Sequence, residues 1–301
     1  MLFKHLTFYR ITQELPHPNI VAQQLAQLPF SPCLSLDWFS EGFAPPNEHY
    51  PDFVSLAGDS VAIRLNREDK VLPPSVIVSQ LNPRIANIEA SEKRHVGKRE
   101  KQELRDTLID QLLPQAFTKS SHTYALLDYA HSLILIDASP KTAENLLAKL
   151  REALGGLDVI RPQTQQPLTQ LMTDWLQHGE ADGNFTLDSD GTLKDSPNNQ
   201  GGATIKASKQ NLSADEITQL VRHGKTATQL GLTWQKQINF ILNQDFTLRR
   251  LRYTEDLVSC TEPQGDDFNR HHFLQLLMAI HLPKLIYELA TLAGGWTNSN
   301  G

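Results

Sequence analysis

The sequence predicts an α+β protein: strand-rich bodies with a projecting helical insertion. Two observations lead there. Strands come in runs followed by helices, without regular βαβ alternation, and that order favours α+β over a doubly wound sheet. Between Pro73-Pro74 and Pro114 lies almost continuous helix-forming sequence, and its middle, Ser91 to Glu103, has Val96 as its one large aliphatic residue. A helix that is polar all round has no stripe to bury, so it projects. The length, 301 residues, is about twice the usual domain size and suits two cores or one core with an insertion.

Leu2 to Ile11 alternates briefly and reads as a strand. A short helix follows, with Ile20, Val21, Leu25 and Leu28 on one face, ending before Pro29. Ser31 to Pro51, rich in aromatics and prolines (Trp38, Phe39, Phe43, Pro45, Pro46), reads as an ordered loop. Val54 to Ala57, the Gly58-Asp59 turn and Ser60 to Leu65 form a hairpin, because Gly-Asp suits a tight turn. From Ser75 to Leu113 the chain is helical with a break near Gly97. Val76, Ile77, Leu81, Ile85 and Ile88 give its first part an apolar face. Leu104, Leu108, Ile109, Leu112 and Leu113 do the same for its last part, and Pro114 stops it. This is a helical hairpin inserted between strands.

Strands resume at Tyr124 to Asp128 and Ser132 to Asp137, and a helix from Lys141 to Leu154 ends at Gly155-Gly156. With Val159-Ile160 as a further strand, this β-β-α-β order resembles half of a ferredoxin-like sheet. A helix from Leu168 to Gln177 leads into a second body. There Phe185 to Lys194 reads as a hairpin turning at Asp188-Ser189-Asp190-Gly191, and Asp195 to Gly202 as a loop. Ala203 to Ala207 is a strand, and Ser213 with Glu216 forms a capping box that opens a helix. Two long strands cover Leu230 to Tyr253; an acidic loop, Glu255 to Asp267, precedes a closing helix from Phe268 to Leu292 that accommodates Pro283.

Composition narrows the function classes. Hydrophobic residues at 40% and charged ones at 21% place the chain among globular proteins, away from disorder and collagen-like repeats. A formal net charge of -6 argues against a small, uniformly basic nucleic-acid binder but leaves room for a local basic patch. Cys33 and Cys260 lie far apart with no CxxC pair, which fits a reducing cytoplasm better than a disulfide framework. The start, Met1 to Leu6, turns polar too soon for a signal peptide. The apolar stretch from Tyr124 to Ile136, broken by Asp128 and His131, falls short of the ~20 residues needed to span a bilayer. The expectation is a soluble cytoplasmic protein with no membrane contact.

Catalytic motifs are not found. Gly224-Lys225-Thr226 lacks the earlier glycine of a phosphate loop, where Gln219 stands, so it reads as a helix end. Asp188-Ser189-Asp190-Gly191 lacks the later oxygen ligands of a calcium loop and reads as a turn. The adjacent His271 and His272 point to different faces of a helix, not to one metal. There is no GxSxG elbow. The expectation is no catalytic residue, no metal and no cofactor.

Positive charge is more informative. Lys93, Arg94, Lys98, Arg99, Lys101 and Arg105 crowd the helical insertion, with Glu92, Glu100 and Glu103 among them. A solvated helix face laced with i,i+4 pairs fits this pattern, and so does a surface that neutralises phosphates. A second group is Lys206, Lys209, Arg222 and Lys225; a third is Arg249, Arg250 and Arg252, of which Arg250 and Arg252 share a strand face.

Several stretches look familiar. Phe3 to Arg10, Gly42 to Pro46, Glu68 to Pro73, Leu112 to Phe117 and Lys141 to Gly156 resemble, in order, the RdgC family of proteobacteria. So do Lys209 to Ile217, Gly224-Lys225 and the closing Leu292 to Gly295. The resemblance implies a non-enzymatic, sequence-independent double-stranded DNA-binding protein, cytoplasmic and nucleoid-associated. Such a protein pairs as a homodimer into a ring around the duplex and restrains RecA-dependent recombination. It further implies a centre domain (1–74 and 118–166), a helical tip (75–117) and a base (167–301). Phe117 matches an aromatic of tip-to-tip closure. Lys209, Gln210 and Lys225 match positions linked to DNA contact, and Arg94, Lys98, Lys101 and Arg105 fall where the family is also basic. Gln115 departs from the Arg that the family often has there. The alternative is a regulator that contacts recombinase directly, with DNA contact incidental.

Overall fold

A computed structural model describes residues 2–47, 50–195, 202–259 and 267–297. Most of the loop read at Asp195 to Gly202 lies outside the described residues, as does Cys260. The chain divides into two compact units: Met1–Leu25, Pro45–Arg64 and Thr123–Gly301 form the larger, Ala26–Ala44 and Leu65–His122 the smaller.

In chain order the elements are β1 (His5–Ile11), α1 (Pro18–Leu25), β2 (Phe39–Ala44), β3 (Ser55–Ala57), β4 (Ser60–Val71), α2 (Pro74–Glu92) and α3 (Lys98–Leu112). Then come β5 (Phe117–Asp128), β6 (Leu133–Ile136), α4 (Pro140–Leu154), β7 (Val159–Ile160), α5 (Leu168–His178), β8 (Phe185–Asp195) and β9 (Thr204–Ala207). The chain closes with α6 (Asp215–Arg222), β10 (Lys225–Trp234), β11 (Ile238–Asn243), β12 (Leu248–Tyr253), α7 (Glu255–Ser259) and α8 (Asp267–Leu292). The strands join in the order β2-β4-β5-β6-β1-β12-β11-β10-β8-β9, with β3 on β4 and β7 on β1. This is the α+β class expected.

In the larger unit β1 pairs antiparallel with both β6 and β7. The β6-α4-β7 stretch is therefore a split β-α-β unit with β1 between its strands, as the β-β-α-β order suggested. Ala143, Leu146, Leu147 and Leu150 bury the inner face of α4, and Gly155 takes the left-handed conformation that ends it. Further along, even-numbered residues of β10 and β11 point inward: Leu230, Leu232, Trp234, Ile238, Phe240 and Leu242 are buried. Met172 and Trp175 of α5, Ile217 and Val221 of α6, and Leu282, Leu285, Ile286 and Leu289 of α8 belong to the same core. The Trp234 indole N–H donates to Glu288 of α8 at 2.8 Å, so this buried ring has its polar atom satisfied. By length and composition α8 is apolar enough to cross a membrane. Its buried Leu277, Met278, Leu282 and Leu285 account for that apolarity as core packing.

In the smaller unit α2 and α3 lie between β4 and β5, as the helical insertion required. Lys93 adopts a left-handed conformation at the end of α2 and starts the turn. Ile77, Val96, Leu108 and Leu113 are buried. Val76, expected on the apolar face, is exposed, as is Ile20 in α1.

Other expectations fail locally. The Ser31–Pro51 stretch holds the strand β2, which passes so close to Phe30 that a Cβ on Gly42 would lie 2.6 Å from its backbone. The two strands expected over Leu230–Tyr253 are three. The first break is a turn at Gln235 and Lys236, both at positive φ, and neither is a residue type that signals such a turn. The acidic loop contains α7. Ser213 does not cap α6: its hydroxyl donates to the Gly179 carbonyl at 2.6 Å.

The expected hairpin at Asp188–Gly191 is absent. β8 is one strand on β10, where Leu230 faces Gly191 and Leu232 faces Leu187. Asp188, Ser189 and Asp190 thus oppose the single residue Gly231 and form a bulge. A Cβ on Gly231 would lie 2.9 Å from the Asp190 carbonyl oxygen, so glycine is required there.

Candidate nucleic-acid interface

The helical hairpin of the smaller unit sorts its cations into two kinds. Arg94 sits in the turn and donates from its Nε to Glu92 at 2.6 Å and from both terminal nitrogens to Glu100 at 2.6 and 2.7 Å. Its charge is spent on fixing the turn, and Arg94 in turn holds the Glu100 carboxyl below its usual range. Glu89 closes the same turn by bonding His95 and the Val96 amide, and those bonds lower its pKa. Arg99 pairs with Glu103 one turn on.

Lys98, Lys101 and Arg105 are different. All three are exposed on α3, and none has an ion-pair contact among the described residues. Their spacing, i, i+3 and i+7, places them in one stripe along the helix, about 10 Å from first to last. Exposed cations with no ion-pair contact among the described residues can neutralise phosphates; Arg94 cannot do so without giving up the turn.

In the larger unit the sheet of β12, β11, β10, β8 and β9 buries one face under α5, α6 and α8. Gln229, Gly231 and Thr233 of β10, with Asn239 and Ile241 of β11, turn to the other face. Arg252 pairs with Asn239 and Arg249 with Ile241, so β12 carries an extra residue, and Arg250 occupies that bulge at φ 53°. Arg250 and Arg252 border the same depression, together with Lys209. Lys209 is exposed, with no ion-pair contact among the described residues, and its amide donates to Asp190. The Gln210 amide donates to the Ser189 carbonyl at 3.0 Å and leaves its side chain exposed.

Lys225 departs from this group. Gly224, at φ 89°, ends the α6 turn as expected, and Lys225 opens β10 with its ammonium 2.5 Å from Asp195. Lys225, and then the Ala203 amide, hold the Asp195 carboxyl below its usual range. Phe117, the first residue of β5, is 87% exposed, and Leu34, Leu36, Trp38 and Phe39 of the same unit are exposed too.

Asp190 organises the β8 bulge, a role its local turn-like sequence conceals. A lone Gly231 between two leucines in a strand was the available signal. Among the described residues no three His, Cys, Asp or Glu side chains gather as a metal site requires.

A family model described as "Putative exonuclease, RdgC" matches residues 1–296. A recombination-associated protein RdgC of Neisseria meningitidis is 45% identical over 299 residues, which cover 98% of this chain and 99% of that protein. A namesake in Laribacter hongkongensis is 40% identical over 99% of this chain and 100% of its own length. Another, in Sodalis glossinidius, is 34% identical over 97% of each. With likeness that runs from one end of the sequence to the other, the chain belongs to the RdgC family.

Proposed function

We propose that this protein binds double-stranded DNA without regard to sequence, encircles it as a dimeric ring and restrains RecA-dependent recombination, without catalysis. The observation that carries the reading is the stripe of Lys98, Lys101 and Arg105, three exposed cations with no ion-pair contact among the described residues. Such cations gain by displacing condensed counterions from a duplex and need no base contact. Relatives whose names tie them to recombination support a DNA partner. Segment 75–117 is the tip, 1–74 with 118–166 the centre and 167–301 the base. The exposed apolar side chains of the smaller unit, Phe117 at β5 among them, support self-association, since exposed apolar surface serves contact sites. The same side chains favour the second reading, a direct contact with recombinase.

The test is titration of the protein against a duplex with no recombinase present. Binding that weakens steeply with salt and ignores base sequence supports the proposal. Affinity for recombinase alone supports the second reading. A labelled duplex that shortens during incubation with divalent cation would contradict the absence of catalysis and favour the exonuclease named in the family description.

A further inference from the structure

On the open sheet face of the larger unit, the β8 bulge borders a depression of about 470 Å³. Lys209, Arg250 and Arg252 stand on its rim against Asp188 and Asp190, and Lys206 lines the adjoining depression. Cations therefore outnumber carboxylates. Two of them sit in left-handed backbone conformations, Lys209 at φ 54° and Arg250 at φ 53°. Residues other than glycine enter that region uncommonly, in turns and bulges and at binding sites where surrounding contacts hold them.

The contacts here converge on Asp190. Its carboxylate accepts from the Ser208 hydroxyl at 3.0 Å, the Lys209 amide at 3.3 Å and the Arg250 guanidinium at 3.3 Å. A hydroxyl, a backbone amide and a guanidinium are the donor types with which proteins hold phosphate. Asp190 occupies them as an internal anion. Its hold on Arg250 is one long contact to a largely exposed side chain, while Arg252 and Lys209 have no ion-pair contact among the described residues.

We propose that this depression is a phosphate-binding site in which Arg250 and Arg252 hold the phosphate, and from whose Arg250 the phosphate displaces Asp190. That the phosphate belongs to a duplex backbone rests on the DNA-binding reading above; the site itself does not.

The test compares wild type with Arg250→Ala, Arg252→Ala and Asp190→Asn, with Arg252→Gln as a milder companion, after thermal melts confirm folding. Each is titrated with a duplex across a salt series and, separately, with inorganic pyrophosphate by calorimetry. Each arginine variant is expected to bind duplex about 5-fold more weakly and to lower the steepness of the log–log salt dependence by about 1. Asp190→Asn keeps an acceptor for Ser208 and Lys209 but removes the competing charge, so it is expected to tighten binding. A weakened Asp190→Asn overturns the displacement of Asp190. Pyrophosphate binding that is lost in Arg252→Ala, with duplex binding unchanged, supports the site and assigns it to a free phosphate compound. Unchanged duplex binding in the arginine variants, with no pyrophosphate bound by wild type, overturns the site and leaves the DNA-binding reading standing. Wild type that holds neither overturns both.

Discussion

The Lys225 ammonium lies 2.5 Å from the Asp195 carboxylate, with the two side chains only 13% and 15% exposed. Removing one partner of a sheltered pair leaves the other charge uncompensated. Lys225→Glu should therefore lower the melting midpoint clearly, because it sets two carboxylates against each other. Lys209→Glu, on an exposed residue with no ion-pair contact among the described residues, should shift stability by no more than ~0.5 kcal/mol while weakening duplex binding. Melting curves and duplex titrations of the two variants separate the roles. The pair also has a pH signature. The native Asp195 carboxyl titrates below its unfolded value, so the stabilisation is full above about pH 4 and is lost as pH falls through the native value. The gap between wild type and Asp195→Asn should close in that acid range.

Within the helical hairpin, the proposal separates Arg94 from its basic neighbours. Changing Lys98, Lys101 and Arg105 together to Gln should reduce the steepness of the log–log salt dependence of duplex binding by up to about 3. Arg94→Gln should leave that slope nearly unchanged and instead loosen the turn held by Glu92 and Glu100. Hydrogen exchange at residues 93–100 reports the second effect. Equal slopes in wild type and the triple variant would remove α3 from the interface.

Phe117 is 87% exposed, so its truncation opens no cavity within its own chain. Phe117→Ala should melt at the wild-type midpoint. If the residue closes one junction of a ring, the variant should stay dimeric through the other and release circular duplex in high salt faster than wild type. Equal retention on circular DNA would show that Phe117 is not the clasp.

His271 of α8 is partly buried with no hydrogen-bond partner at Nδ1 among the described residues, and desolvation pushes its pKa down to about 4. It stays neutral in the fold while the unfolded chain takes up a proton near pH 6.5. Its contribution to stability is thus full above pH 6.5 and declines as pH falls toward 4. His271→Gln should flatten the loss of thermal stability between those pH values, read from melts at successive pH.

Much was legible in the sequence because it was local. The Pro73-Pro74 and Pro114 bounds, the break near Gly97 and the polar middle marked α2 and α3, since proline and glycine act within a few residues of themselves. Gly155 and Gly224 ended their helices for the same reason. The positions of the basic residues were also plain, and the motifs from Phe3 to Gly295 carried the family.

What the sequence could not decide depends on which partners the folded backbone aims at one another. Whether Arg94 or Lys98 is available to an outside anion depends on carboxylates that only folding brings to Arg94 and not to Lys98. Lys225 meets Asp195 thirty residues away because β8 and β10 pair in one register, and a different register would have left that ammonium exposed. Asp188-Ser189-Asp190-Gly191 has the local chemistry of a turn, yet pairing with β10 holds the chain extended and turns the excess residues into a bulge. Ladder hydrogen bonds and the burial of Leu230 and Leu232 outweigh a turn propensity there, because tertiary packing overrides local preference wherever a strand covers a core.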